Sequence, residues 1–94
     1  AGAKRDMSLL HLRTLTEPQA LNAAIKTFAL IINHPNFPSA ELAREKSQLL
    51  MAIEQKKESP EDTAFDLFFR TLYRDHPYAH PVEGTKETVS ALDQ

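Results

Sequence analysis

The sequence contains no cysteine, and only two of its 94 residues are glycine. Without cysteine the chain cannot form a disulfide framework, a thiolate zinc site or a cysteine nucleophile. Two isolated glycines, Gly2 and Gly84, cannot build a glycine-rich loop that cradles a phosphate. These absences exclude several kinds of catalytic and binding site before any motif is considered.

The sequence also lacks a large excess of either charge and lacks long apolar runs. The formal net charge is −2 and no basic run occurs, so the chain has no electrostatic footprint for nucleic acid. No apolar run approaches the roughly 18 residues of a membrane helix, and no signal-peptide pattern opens the chain. A hydrophobic content of 41% with 26% charged residues is ordinary for a folded chain. The composition therefore predicts one small globular domain without a membrane segment.

The N-terminal part of the sequence predicts one strand. Residues 5–15, "RDMSLLHLRTL", carry apolar side chains on both faces, which is typical of a strand covered on each side. A single strand cannot satisfy its own backbone hydrogen bonds, so it predicts partner strands outside this chain. The alternative is that these residues are helical and that the chain is an all-α helical bundle.

Helical patterns occupy the remainder, at about residues 17–33, 40–57, 60–74 and 86–94. Hydroxyl side chains that accept hydrogen bonds from first-turn amides predict the four starts, with Thr16, Ser39, Ser59 and Thr85 as N-caps. We therefore predict an α+β fold, in which one strand precedes three to four helices in a single partial domain, residues 1–94. The first residue is not Met and the last residues, "SALDQ", fall within a helical pattern, so we expect a fragment.

Two histidines in "HPYAHPVEGT" are the first candidate for chemistry. His76 and His80 have the four-residue spacing of two zinc ligands on one helical face. A proline follows each of them directly, which predicts a non-helical segment where that spacing loses its geometric meaning. We expect these histidines to cap helix ends or to bond backbone. The acids in Glu58–Asp62 are similarly better explained by the dipole of the helix that follows.

Three landmarks in a fixed order identify a family resemblance. They are "FPSAELAREK" at residues 37–46, "SPEDTA" at residues 59–64 and "HPYAHPVEGT" at residues 76–85, after a strand and a helix in the matching order. Together they resemble the pitrilysin-type zinc peptidases, the family that includes insulin-degrading enzyme and the mitochondrial processing peptidases. The resemblance covers nearly the whole chain.

The resemblance implies a definite place for a zinc ligand. These peptidases are inverted zincins, in which an H-x-x-E-H helix supplies two ligands and a general base, and a later helix supplies a glutamate. Residues 40–57 correspond to that later helix, and the ligand follows the glutamate of the Arg44–Glu45 pair by seven residues. That position is Ala52, which has no donor atom for zinc. Glu45 matches a glutamate near the metal site; the alternative is an exposed partner of Arg44 or Lys46.

The resemblance therefore implies no catalytic and no metal-ligating residue in this chain, and zinc only in active family members. Glu54 cannot easily replace the missing ligand, because it lies about 200° around the helix from Ala52. The H-x-x-E-H motif would precede residue 1, so its absence from the sequence carries no information.

A non-catalytic role is the function that the resemblance implies. The chain is expected to come from a homologous half or a bacterial partner subunit, which joins the remainder of its own α/β unit and a second half or subunit to enclose a peptide. Two alternatives stay open: a fragment of an active zinc metalloendopeptidase with a displaced third ligand, and an unrelated helical protein-interaction module. The residues do not identify the compartment, although bacterial members of this type are often exported.

Overall fold

The computed structural model describes residues 1–94, which form an N-terminal unit, Ala1–Asn36, and a C-terminal unit, Phe37–Gln94. The N-terminal unit contains β1 (Gly2–Ala3), β2 (Ser8–Leu9) and α1 (Pro18–Asn33). The C-terminal unit contains α2 (Ser39–Lys57), α3 (Pro60–Tyr73), a 3₁₀ turn (Pro77–Ala79) and α4 (Lys86–Ser90). The α+β class is confirmed. That residues 1–94 form a single partial domain stays a prediction.

The N-terminal strand is shorter than predicted. Only β2 is formed within residues 5–15, and it pairs antiparallel with β1, so that Gly2 lies opposite Leu9. Residues 8 and 9 therefore have one partner strand within this chain, and residues 10–15 have none. That further partner strands lie outside the chain stays a prediction. The all-α alternative is wrong, since no residue between 7 and 14 is helical.

α1 starts in a different way from that predicted. Its N-cap residue is Glu17, and no side chain accepts a hydrogen bond from the first turn, so the prediction of Thr16 as N-cap is wrong. Pro18 occupies the first turn, where its missing N–H removes one of the amides that need a partner. No residue of α1 is buried, and its apolar side chains at Ile25 and Ile31 are about half exposed.

α2 is the central element of the C-terminal unit, because both α3 and α4 pack against it. Ile53 of α2 is buried together with Ala79 and Val89. The aromatic side chains of α3 form one cluster around Phe69. Phe69 and Tyr73 stack with ring centroids 5.5 Å apart, and Tyr78 of the 3₁₀ turn meets Tyr73 edge-on at 5.4 Å. The rings of Phe65 and Phe68 also contact the Phe69 ring, at 4.9 and 5.8 Å, but both residues are more than half exposed, as is Leu72.

Side-chain caps define the starts of the last two helices. Ser59 Oγ accepts from the Asp62 N–H at 3.3 Å, and Thr85 Oγ1 accepts from the Thr88 N–H at 3.3 Å, so both predicted caps are confirmed. The Ser39 cap is wrong, because Pro38 is the N-cap residue of α2 and Ser39 is already helical.

A lysine from α2 caps the C-terminal end of α4. Lys46 Nζ donates to Ser90 O at 2.9 Å and to Leu92 O at 2.7 Å, which satisfies carbonyls that the helix leaves without partners. The helix ends at Ser90, short of the predicted residue 94. Across the whole chain, none of the helices combines the length and the apolar character that crossing a membrane requires.

Candidate functional site

The family resemblance implies that a zinc ligand lies on the side of α2 that carries Glu45 and Ala52. α2 is one continuous α-helix, so residues seven apart lie two turns apart on nearly the same side. Both residues are exposed, as are the side chains between and beside them on this side of α2: Glu41, Gln48 and Gln55. The only group that Ala52 presents on this side is a methyl, which cannot coordinate a metal.

Glu45 interacts with its neighbour on the helix. Its Oε1 lies 3.1 Å from Arg44 Nη2, and Arg44 Nε donates at 3.0 Å to Glu41 Oε2. All three side chains are more than half exposed, so these ion pairs contribute little to stability. In this chain Glu45 is an exposed partner of Arg44, and its place near a metal site of the whole protein stays a prediction. Lys46 points elsewhere, to the end of α4.

Glu54 remains on a different side of α2. No helix irregularity occurs between residues 52 and 54, so the angle of about 200° between them is retained. Glu54 Oε1 accepts from Lys57 Nζ at 3.2 Å in an exposed pair. The geometry of α2 therefore does not bring this carboxylate to the side that carries Glu45 and Ala52.

The two histidines of "HPYAHPVEGT" stand at opposite ends of the 3₁₀ turn. His76 Nδ1 accepts from the Tyr78 N–H at 3.2 Å, so His76 caps the turn as the backbone interpretation predicts. Its ring lies 4.8 Å from the Tyr78 ring, edge to face. His80 follows the turn as its C-cap residue. No group of three or more His, Asp or Glu side chains in this chain is placed to hold a metal ion. The donors present here do not by themselves fit a zinc site.

A charged cluster that sequence reasoning missed lies beside the turn. Lys56 Nζ donates to Asp66 Oδ1 at 2.9 Å and also to Glu83 Oε1. Desolvation is the largest single effect on the pKa of Lys56 and lowers it. The hydrogen bonds and charges of Glu83 and Asp66 together outweigh desolvation, so the pKa of Lys56 rises above its ordinary value.

One signal in the sequence points to this lysine. Lys56 is in phase with the apolar stripe of Leu49 and Ile53, and a lysine on a packed stripe is seldom covered unless it is paired. Its partners lie 10 and 27 residues further along the chain, so no local spacing identifies them. Lys56 is 26% exposed, which makes it the most covered cation among the ion pairs.

A groove of about 680 Å³ opens next to this cluster, and we call it the Lys56 groove. Its floor is apolar and consists of Ile53, Leu67, Ala79 and Pro81. Cationic side chains are also part of its lining: Lys57, Arg70, Arg74 and Lys86. Arg74 has φ 50° and ψ −100°, a backbone conformation that non-glycine residues rarely adopt. The groove therefore combines an apolar floor, a positive lining and local backbone strain.

Comparisons with known proteins identify one matching family and several relatives of this chain. A model of the insulinase family of peptidases, family M16, matches residues 2–86. The chain is similar to an uncharacterized zinc protease of Rickettsia felis, with 27% identity over 93% of this chain and 21% of the relative. It is also similar to the uncharacterized zinc protease YmxG of Bacillus subtilis, with 29% identity over 77% of this chain and 18% of the relative.

A third relative, an uncharacterized zinc protease of Mycobacterium leprae, is 32% identical over 77% of this chain and 16% of its own length. The chain thus spans about a fifth or less of the length of these relatives. No solved structure matches it.

Proposed function

Because the chain belongs to the insulinase family of peptidases, family M16, we propose that it serves proteolysis as part of a non-catalytic half or partner subunit. In this role it joins the remainder of its own α/β unit and a homologous half or subunit to enclose a peptide substrate. The zinc proteases among its relatives support the peptidase setting. The chemistry of hydrolysis belongs to another unit of the assembly.

The observation that carries this proposal is the methyl group of Ala52. The resemblance puts the glutamate ligand at this position of α2, and neither neighbouring carboxylate replaces it. Glu45 Oε1 is paired with Arg44 at 3.1 Å, and Glu54 lies around the helix beside Lys57. A regular helix keeps both carboxylates at fixed angles from Ala52.

The contribution of this chain is then structural. The exposed side of α2, which holds Glu45 and Ala52, forms part of a chamber wall, and Glu45 lies near the site that an active homologue would carry. α3 packs behind the sheet of the complete α/β unit through aromatic side chains that are exposed in this chain. Such a wall excludes water and positions a peptide without supplying a proton donor, a proton acceptor or a metal ligand.

Metal analysis of the whole protein tests the proposal. We expect the zinc content, measured by mass spectrometry after purification, to be unchanged in Glu45→Gln and in Glu54→Gln. Glu61→Gln, an exposed acid in the first turn of α3, is the matched control for loss of one carboxylate. Cleavage of a fluorogenic peptide by the assembled enzyme that contains each variant should likewise show no loss of kcat in Glu54→Gln.

Loss of bound zinc in one of these variants would overturn the proposal. If one zinc per chain is bound and is lost in Glu45→Gln or Glu54→Gln but kept in Glu61→Gln, this chain ligates the metal. The protein would then be an active endopeptidase with a displaced third ligand.

A further inference from the structure

The Lys56 groove has an excess of positive charge in a chain whose formal net charge is −2. Five cationic side chains line the groove against three carboxylates, those of Asp66, Glu83 and Glu87. Asp66 and Glu83 both accept from Lys56 Nζ. Two of the three carboxylates are therefore already engaged with one partly buried lysine, which leaves Glu87 as the remaining carboxylate of the lining.

Arg70 and Arg74 are the most informative of these cations. They are four residues apart at the end of α3, and neither guanidinium forms an ion pair with a carboxylate of the chain. Lys86, at the start of α4, has no such pair either, although its charge acts on Glu87 beside it. A guanidinium presents a planar fork of donors that matches a carboxylate bidentately, so two unpaired forks in one groove form a receptor for carboxylates.

The backbone at Arg74 adds an independent observation. Its φ of 50° with ψ of −100° lies outside the favoured regions for a residue with a side chain. Strained positions of this kind concentrate where a side chain must be held in a particular place for binding or catalysis. Here the strained residue is one of the two unpaired arginines that line the groove.

We propose that the Lys56 groove binds acidic side chains of the peptide that the assembly encloses. The carboxylates of that peptide engage Arg70 and Arg74, and its aliphatic stems lie on the apolar floor at Ile53 and Leu67. A volume of about 680 Å³ is within the range of sites that accommodate small ligands. This inference rests on the proposed function for the identity of the ligand as a substrate peptide.

Peptide binding to the whole protein tests the inference directly. The probe is a fluorescently labelled pentapeptide that contains glutamates and is blocked at both ends, and its glutamine analogue is the reference. We expect the acidic peptide to bind at least about tenfold more tightly at low salt, because charge-assisted bonds to arginine are the strong ones. The difference should shrink as salt rises, since a Debye length of about 10 Å at 0.1 M screens exposed charges.

Two double variants distinguish binding in the groove from a general effect of positive charge on the protein. Arg70→Gln with Arg74→Gln should abolish the preference for glutamate. The double variant Arg13→Gln with Lys26→Gln removes two positive charges from the N-terminal unit and should leave the preference intact. If the first pair fails to fold, Arg70→Lys with Arg74→Lys retains the charge but not the fork and should retain only part of the preference.

Equal affinity for the acidic peptide and its glutamine analogue at low salt overturns the inference, as does unchanged preference in the Arg70 and Arg74 variants. A third outcome also overturns it: cross-linking shows that another subunit covers both arginines and the peptide does not bind. Zinc content is read separately in each sample, so failure of peptide binding is distinguishable from failure of the non-catalytic assignment.

Discussion

Lys56 Nζ lies 2.9 Å from Asp66 Oδ1, so one ammonium group joins α2 directly to α3. The same ammonium donates to Glu83 in the segment that leads to α4. Lys56 is 26% exposed and Glu83 29%, so water competes only in part for these bonds. Three parts of the C-terminal unit therefore depend on one side chain.

Lys56→Met is expected to destabilise the C-terminal unit by about 1–3 kcal/mol, because it leaves two carboxylates facing each other without a cation. The measurement is amide hydrogen exchange in the whole protein, followed in segments from α2 and α3. Faster exchange should be confined to the C-terminal unit.

Lys57→Met is the matched control for this change. Lys57 pairs only with Glu54, and both side chains are more than half exposed. Its replacement should cost about 0–0.5 kcal/mol. Equal exchange rates in the two variants would show that the cluster around Lys56 adds nothing to the unit.

The stabilisation by Lys56 should be lost at alkaline pH. Its pKa is raised in the folded state by Glu83 and Asp66 against the opposing effect of desolvation. The charged form is therefore favoured by folding, and its contribution is complete below the unfolded pKa of about 10.4. The difference between the native protein and Lys56→Met should be constant from about pH 7 to 9 and should shrink as pH rises further. A difference that grows with pH in this window would contradict the raised pKa.

Gly84→Ala should destabilise the start of α4. Gly84 has φ +81°, and a Cβ there would lie 2.9 Å from Thr88 Oγ1, the atom that accepts from the Thr85 N–H. We expect a loss of about 1–3 kcal/mol, because the backbone is strained and the capping box is displaced. Thermal unfolding of the whole protein, together with exchange of the α4 amides, measures the effect.

Gly2→Ala is a suitable comparison for the Gly84 variant. A Cβ at Gly2 meets no atom within 4 Å, and Gly2 does not have a positive φ. The substitution should be nearly neutral. If both variants lose the same stability, the special geometry at Gly84 is not the cause.

The two serines at helix starts should respond differently to alanine. Ser59→Ala removes the acceptor for the Asp62 N–H and should cost about 1 kcal/mol. Ser39→Ala should change stability much less, because Ser39 is inside α2 and its hydroxyl caps no amide. Exchange of first-turn amides in α2 and α3 provides the readout, and an equal loss in both helices would contradict the difference between them.

Local chemistry explains what could be predicted from the sequence. Ser59 and Thr85 cap amides three residues away, so each start depends on a single turn of chain. Thr16 and Ser39 failed as caps because a proline follows or precedes each one closely and changes which residue occupies the non-helical position. At α2 this residue is Pro38, with φ −53° and ψ 135°.

Distant contacts explain what the sequence did not predict. The end of α4 depends on Lys46, which is 44 residues from Ser90. The pairing of β2 with β1 and the ion pairs of Lys56 are also decided by folding in three dimensions rather than by spacing. The family resemblance, which rests on ordered landmarks, located Glu45 and Ala52 on one side of α2, whereas the Lys56 groove has no landmark of its own.

The exposed aromatic side of α3 has a thermodynamic consequence. Phe65 and Phe68 are each 59% exposed, and Leu72 is 58% exposed. A separate chain that covered these side chains would bind the folded helix and not the unfolded one, and would stabilise the unit by mass action. The melting temperature of this unit would then rise with the concentration of that chain. Cover from the remainder of the same chain would instead leave the melting temperature independent of concentration, so the titration distinguishes the two cases.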